Sequence, residues 1–361
     1  MPGETLPSRD IHVVVPHFKR RLSGVTTTVI QLVPLQRRML AERGLGLATI
    51  GPGLPRDCPR PRMPWPLAIL RKPEGTPRRV WHARRNIEML PAIVARDVFR
   101  LPLAILFTSA SQREHTAYTR WLIGRMDRVV AVSERSRAYL RVPADVVMHG
   151  IDIDRFRPPD DANALARERR ELGLEPGRRY VGCFGRIRER KGTGDFVEAM
   201  LRALPERPDW TAIVAGRATK AHAGYERSLR EKVAEAGMAD RISFVGEHTA
   251  IHRWHAAMDL FVAPQRWEGF GMTPLEAMAC GVPVVATDAG AFPELLPKTA
   301  GAVVPKGYVA AMTDAAARFM DDDGLRTEAG RAARAHVEAN FALEGEAERL
   351  CAIYREMLEV A

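Results

Sequence analysis

The 361 residues carry 46% hydrophobic and 27% charged side chains, a composition that argues against a disordered chain and suits two domains of about 150 residues each. The net charge of +10 is one-sided: residues 1–150 hold 25 Lys+Arg against 11 Asp+Glu, a balance of +14, and subtraction from the totals of 54 and 44 leaves 29 against 33, or −4, for residues 151–361. No run of eighteen uncharged apolar residues appears, the opening MPGETLPSRD lacks a basic-then-apolar signal, and Cys58, Cys183, Cys280 and Cys351 show no CxxC or histidine-ligand spacing, so a membrane span, a secretory leader, a zinc site and a disulfide framework are not expected.

In chain order, DIHVVVPHF (10–18) reads as a strand and SGVTTTVIQLVPLQRRML (23–40) as a glycine turn entering a helix. LGLATIG and RRVWHA follow as strands, NIEMLPAIVARDVF (86–99) as a helix and LPLAILFTSA (101–110) as a buried strand. TAYTRWLIGRMD is a helix, RVVAVSE a strand and ADVVMHGID the last strand of this half. The proline-rich, charged stretch 156–177 reads as a link. Strands RRYVGCFGRI, DWTAIVAG, RISFVGE, DLFVAPQ and PVVAT then alternate with helices up to YVAAMTDAAARFMDD (308–322), and GEAERLCAIYREML (345–358) forms a closing helix able to pack on either half. The expected fold is α/β, with two Rossmann-like domains, 1–165 and 166–341, facing each other across a cleft at the carboxyl ends of their parallel strands, and with the helix at 342–361 able to return to the first.

The stretch RWEGFGMTPLEAMACGVPVVAT (266–287) sets Glu268 and Glu276 around a pliable segment. Helix signals begin near Thr273 and Pro274, so Gly269, Phe270, Gly271 and Met272 form an entry loop whose amides suit an oxygen-rich or anionic ligand, with Glu276 in the first helical turn. Two carboxylates at this spacing can accept hydrogen bonds from hydroxyls at opposite ends of a sugar nucleotide. The plainer alternative for Glu276 is an offset of the helix dipole. In CFGRIRERKGTGDF (183–196) a strand ends at Gly185, and Arg186 and Lys191 flank a turn where two cations can neutralise a diphosphate. Arg188 and Arg190 better fit a solvated charged loop. The DxD pairs Asp152/Asp154 and Asp321/Asp323 lie in the link and at a helix end, away from those cations, so no metal is expected.

EGFGMTPLE resembles the E-x7-E motif of the retaining GT-B glycosyltransferases of family 4, and ACGVPVVATDAGAFPEL resembles the segment that follows it there. The similarity extends through SGV, AVSE, HGIDIDRFRP, GRIRERKG and FVGE. TSASQREHTAYTRWLIGRMD and WHARRNIEM are similar to the lipopolysaccharide core mannosyltransferases of alphaproteobacteria. The resemblance implies a GT-B fold, retention at the anomeric carbon, and a donor site of Gly24, Gly185, Arg186, Lys191, Glu268, Gly269, Phe270, Gly271, Met272 and Glu276. Within it Glu268, Arg186 and Lys191 carry the catalysis. The family often has two adjacent glycines near the start, where this chain has Ser23 and Gly24.

The narrower likeness implies GDP-mannose as donor co-substrate, no cofactor, and a Kdo residue of the lipid A core as acceptor. Where many members place a histidine after a strand, this chain has Phe107, Thr108 and Ser109. His82, Arg84, Arg85 and Asn86, with Thr108 and His115, are instead acceptor-side residues whose cations can hold the carboxylate or phosphate of a charged sugar. The basic first half fits an anionic glycolipid and the inner-leaflet surface, hence a cytoplasmic enzyme peripheral on the inner membrane. Two alternatives stay open: a UDP-sugar enzyme acting on another lipid or glycan, and a non-catalytic sugar-nucleotide or nucleic-acid-binding protein. No aromatic-rich basic stripe supports nucleic-acid binding.

Overall fold

A computed structural model describes residues 5–19, 24–52, 54–55 and 57–359, with Gly24 and Val25 described by backbone alone. Its residue contacts divide the chain into two units, 1–150 with 343–361, and 151–342.

In the first unit the short apolar runs become parallel strands β1 (Val13–Pro16), β2 (Leu47–Ile50), β3 (Arg79–Ala83), β4 (Leu103–Ser109), β5 (Arg128–Ala131) and β6 (Asp145–Val146), in the order β2-β1-β3-β4-β5-β6. Continuous rather than alternating hydrophobicity marks a sheet covered on both faces. Val13, Val15 and Leu106 enter one core and Val14, Trp81 and Ile105 the other, as the two-residue period of a strand requires. In the second unit β7 (Arg179–Phe184), β8 (Trp210–Ala215), β9 (Ile242–Gly246), β10 (Leu260–Ala263), β11 (Val284–Thr287) and β12 (Gly301–Val304) pair as β9-β8-β7-β10-β11-β12. That is the doubly wound Rossmann order, with its topological switch between β7 and β10. The first unit reverses between β1 and β3 instead, the flavodoxin-like variant of the same rule.

The helices that matter below are α1 (Gly24–Ala41), α2 (Asn86–Ile93), α3 (Ala117–Ile123), α4 (Ala162–Glu171), α5 (Thr193–Ala203), α6 (Ile251–Ala256), α7 (Met272–Ala279), α8 (Asp323–Asn340) and α9 (Leu343–Glu359). The stretch 156–177, read as a link, contains α4, which belongs to the second unit. Arg169 of α4 donates to Ala257 O and to Asp259 at 2.6 Å, and Glu168 pairs with Arg253. The division therefore falls at 150/151 rather than at 165/166. Strand β12 and helix α8 were not anticipated by the sequence pattern.

Helix α9 returns to the first unit because its apolar face has a partner there. Leu350, Cys351 and Tyr354 join the core of Val13, Leu32 and Leu106. Glu346 accepts from Gly150 N at 2.7 Å and meets His149 Nδ1 at 2.9 Å, so the carboxylate clamps the end of the preceding strand segment.

Part of the arginine excess is architectural. Arg79, with no exposure, donates to Ser8 O, Ile11 O, Ile69 O and Arg71 O at 2.6–3.2 Å, so each of its guanidinium nitrogens is used in tying these backbone segments together. Burial lowers its pKa to about 10. All four cysteines are free and buried.

Candidate active site

Three adjacent strand ends build the floor of a pocket in the second unit. Strands β7 and β8 finish on an apolar residue followed by glycine, Phe184-Gly185 and Ala215-Gly216, and β9 finishes on the glycine of the matching pair Val245-Gly246. Gly216 has φ 141°, and a Cβ there would overlap the carbonyl oxygen of Gly185, so only glycine lets the two chain ends lie together. The cavity, about 270 Å³, is lined by Gly185, Arg186, Arg217, Glu247, His248, Thr273 and Glu276, among others. Arg217, Glu247 and His248 were missed in the sequence. The repeated strand-then-glycine ending was the signal that pointed to them.

Beside it, the loops leaving β7 and β10 meet at the switch point. Arg190 O accepts from Arg266 N at 3.1 Å and Trp267 N at 3.2 Å, which joins the two loops through backbone. Across that seam Lys191 Nζ pairs with Glu268 Oε2, and the other carboxylate oxygen of Glu268 accepts from Gly269 N at 3.0 Å. Both partners are largely shielded, with side chains 18% and 17% exposed. Gly271 at φ 94° lets the loop pass against Phe292, whose ring a Cβ would overlap. Phe270 itself is buried, so at this position only backbone remains for a ligand.

Two details differ from expectation. Helix α7 starts at Met272, which therefore belongs to the helix and not to the entry loop, and Glu276 falls in the second turn rather than the first. A dipole offset fades beyond the first turn and does not explain Glu276. Its carboxylate lies 3.2 Å from Nε2 of the fully buried His255, whose ring sits among Phe184 and Phe261. Arg188 is also not a solvated loop residue. Its own backbone is extended, with φ −169° and ψ 156°, and its Nε is buried without a partner. Burial first, then Arg186, lower its pKa, while Glu268 opposes them. Lys191 thus pairs with Glu268, and Arg188 feels the charges of both Glu268 and Arg186. Gly24 opens α1, but residues 20–23 before it, including Ser23, lie outside the described residues.

The first unit holds a second pocket, about 450 Å³, at the ends of β3 and β4. It brings together Arg84, Arg85, Asn86, Thr108 and His115, and adds Ser109 and Arg113. Glu88 is buried and spoken for, accepting from Arg84 N at 2.8 Å and Arg85 Nη1 at 3.0 Å. Asn86 donates to Thr119 at 2.8 Å. By contrast Arg84 Nη1, Ser109 Oγ and His115 Nε2 are buried with no hydrogen-bond partner. Burial, then Arg113, lowers the His115 pKa, which favours the neutral ring.

His82 departs from the acceptor-side reading. It has no exposure, and its two ring nitrogens are taken by Tyr354 Oη at 2.6 Å and Thr108 Oγ1 at 2.7 Å. A ring so enclosed ties α9 to β3 and β4 and touches no substrate.

Three of the four DxD carboxylates have partners of their own. Asp152 accepts from the amides of Asp154 and Arg155 at 3.2 and 2.9 Å, Asp321 pairs with Arg207 at 2.6 Å, and Asp323 pairs with Arg326 and Arg179, each at 2.6 Å.

Residues 178–322 match the family described as Glycosyl transferases group 1. Over 97% of its length the chain is 54% identical to the lipopolysaccharide core biosynthesis mannosyltransferase LpsB of Rhizobium meliloti, covering 99% of that protein. It is 49% identical to the corresponding enzyme LpcC of Rhizobium leguminosarum bv. viciae, with 97% of each chain covered. Among solved structures, Anabaena HepE in complex with UDP superposes with a TM-score of 0.77 at 18% identity over 96% of this chain and 100% of that one, which shows a shared GT-B fold. With full-length identity of this order and two doubly wound α/β units, the chain belongs to the group 1 glycosyltransferases, among the lipopolysaccharide core mannosyltransferases.

Proposed function

We propose that the enzyme transfers mannose from GDP-mannose to a Kdo-containing lipopolysaccharide core acceptor with retention of anomeric configuration. The observation that carries the donor half is the Lys191–Glu268 pair at the β7/β10 switch point, beside a pocket that contains Arg186 and Glu276. A ligand with a diphosphate and a hydroxylated sugar offers each member of this pair a better-matched partner. Lys191 moves onto the diphosphate with Arg186, Glu268 is released to the sugar hydroxyls, and Glu276 takes the ribose.

As the glycosidic bond to phosphate breaks, negative charge builds on the departing diphosphate, and fixed cations there stabilise the transition state more than the ground state. The leaving phosphate oxygen takes the acceptor hydroxyl proton on the face where the new bond forms, so no protein base is required. Arg186 and Lys191 supply the charge that a metal supplies in DxD enzymes.

The pocket of Arg84, Arg85, Asn86, Thr108 and His115 receives the acceptor. Its buried, unpartnered donors suit a charged sugar, since a ligand oxyanion would satisfy groups now desolvated at a cost. An acceptor on lipid A, with the basic first half, places the enzyme peripherally on the inner membrane. No described helix is long and apolar enough to cross a membrane.

Incubation with GDP-mannose, UDP-glucose or UDP-N-acetylglucosamine in turn, with truncated lipopolysaccharide as acceptor, tests the reading. Transfer from GDP-mannose alone is expected. Transfer only from a UDP-sugar would replace the donor, and no transfer or hydrolysis with any donor would remove the enzymatic reading.

A further inference from the structure

The outer face of α2 is apolar where a surface helix is normally polar. The helix continues through one π-helical turn, Val94–Val98. Met89, Ala92, Ile93 and Ala95 face the core, while Ile87, Leu90, Val94 and Val98 recur at three- and four-residue steps on the opposite side and are 51%, 38%, 37% and 67% exposed. At its end Phe99 is 68% exposed, and Arg100 takes φ 55°, the one positive φ outside glycine among the described residues. The strained backbone thus presents Phe99 and Arg100 together at a tip.

Helix α3 adds to the same region, joined to the start of α2 by the Asn86–Thr119 hydrogen bond. Its Tyr118 and Trp121 are exposed and stacked, with ring centroids 6.3 Å apart, and the guanidinium of Arg125 lies 4.1 Å over the Trp121 ring. Contiguous exposed apolar surface marks an interaction site, and aromatic rings beside arginine suit the boundary between lipid chains and head groups. Residues 84–128 hold eight arginines against four acids. Two of those acids, Asp97 and Asp127, already pair with Arg96.

We infer that the α2–α3 face is a membrane-docking surface: Ile87, Leu90, Val94, Val98 and Phe99 enter the head-group boundary of an anionic bilayer, with Tyr118, Trp121 and the surrounding arginines at its surface. Charge decides against a second copy of the chain, because a two-fold interface would set this arginine-rich face against itself. An anionic lipid surface complements it, each basic residue adding to the attraction within a Debye length. The acceptor pocket shares Asn86, Thr116 and Thr119 with these helices, so docking would hold that pocket against the leaflet that carries a lipid-linked acceptor. This step rests on the proposed lipid-linked acceptor. The surface itself is tested without substrate.

The full-length protein is floated with vesicles of pure phosphatidylcholine and with vesicles in which about one-third of the lipid is phosphatidylglycerol. Binding to the anionic vesicles is expected, with roughly tenfold loss of the partition coefficient in Val98→Ser/Phe99→Ser and in Arg100→Glu/Arg125→Glu. These side chains are exposed, so the thermal midpoint and transfer to a water-soluble, deacylated acceptor should stay at wild-type values, while transfer to acceptor embedded in vesicles falls. Undiminished vesicle binding by both variants overturns the proposal. So does a wild-type dimer in sedimentation analysis that the apolar variant abolishes, since it assigns the face to a second copy. Vesicle binding as expected, with no transfer to any acceptor, would instead sink the proposed function and leave the surface standing.

Discussion

In the second unit's site Lys191, Arg266, Glu268 and Glu276 already have partners, whereas in the first unit's pocket three buried polar atoms have none. Lys191 holds Glu268, Arg266 grips Asp195 through two bonds at 2.6 and 2.7 Å, and Glu276 rests against His255. In the first unit Arg84 Nη1, Ser109 Oγ and His115 Nε2 line a larger cavity with nothing to bond. Internal pairing holds reactive groups in place until a ligand competes for them, and so favours chemistry. Unpaired buried donors penalise the empty pocket and reward whatever fills it, and so favour selective binding. The contrast is not complete, since Arg188 Nε in the second unit is also unpartnered.

The largest effect should therefore follow from breaking the pair. Glu268→Ala or Lys191→Ala is expected to lower kcat by about 10²–10³, the scale of removing one preorganised group from a developing charge. Turnover of GDP-mannose with saturating acceptor measures it. Unchanged kcat in both variants would remove the site from the switch point.

The pocket should answer differently. Arg84→Ala is expected to raise the acceptor KM by about 10–100-fold, matching the 1.5–3 kcal/mol of a hydrogen bond to a charged group, and to leave the donor KM alone. Initial rates over a grid of both substrates separate the two. A rise in donor KM of equal size would erase the division of labour between the units.

Protonation offers a third way to probe the contrast, because His82 is enclosed while His115 is open to a ligand. Burial, then Arg84, holds the His82 pKa well below its ordinary 6.5. The unfolded chain takes up a proton as pH falls through 6.5 and the folded ring does not, so this contribution to stability is present above 6.5 and lost below it. His17, His115, His252 and His336 act in the same sense. Denaturation midpoints at pH 7.5 and 5.5 should show stability falling with acid, and His82→Asn should flatten the slope by up to one proton, ~1.4 kcal/mol per pH unit. A slope equal to wild type would show that His82 titrates freely.

How much of this was legible depended on whether neighbours in space were also neighbours in the chain. Gly185, Arg186 and Lys191 lie within one loop, as do Glu268 to Glu276, and the strand-loop-helix pattern places both loops at carboxyl strand ends. Arg84 to Asn86 were readable for the same reason. Their convergence with Ser109 and Arg113 needed the register of β3 against β4, where His82 stands opposite Leu106. His82 was misjudged because its partner Tyr354 lies on a helix 272 residues away. Arg188 was misjudged because the local charge run masked an extended backbone. The boundary was set late because α4 is charged enough to pass for a linker, although Arg169 carries it into the second unit.

The smallest expected effect separates the two glutamates within the second unit. Glu276→Gln keeps the side-chain volume and one acceptor oxygen and loses only the charge, so about 1 kcal/mol, or roughly fivefold, is the scale for one weakened hydrogen bond. If Glu276 holds the ribose, the change falls on every ligand that carries the nucleoside. The donor KM and the inhibition constant of free GDP should then rise by the same factor, with kcat constant. A carboxylate acting on the transferred sugar would leave GDP inhibition untouched, since GDP has no hexose. Measured beside Glu268→Gln, whose effect should appear in kcat and not in GDP affinity, the ratio of the two constants tells which end of the donor each carboxylate holds.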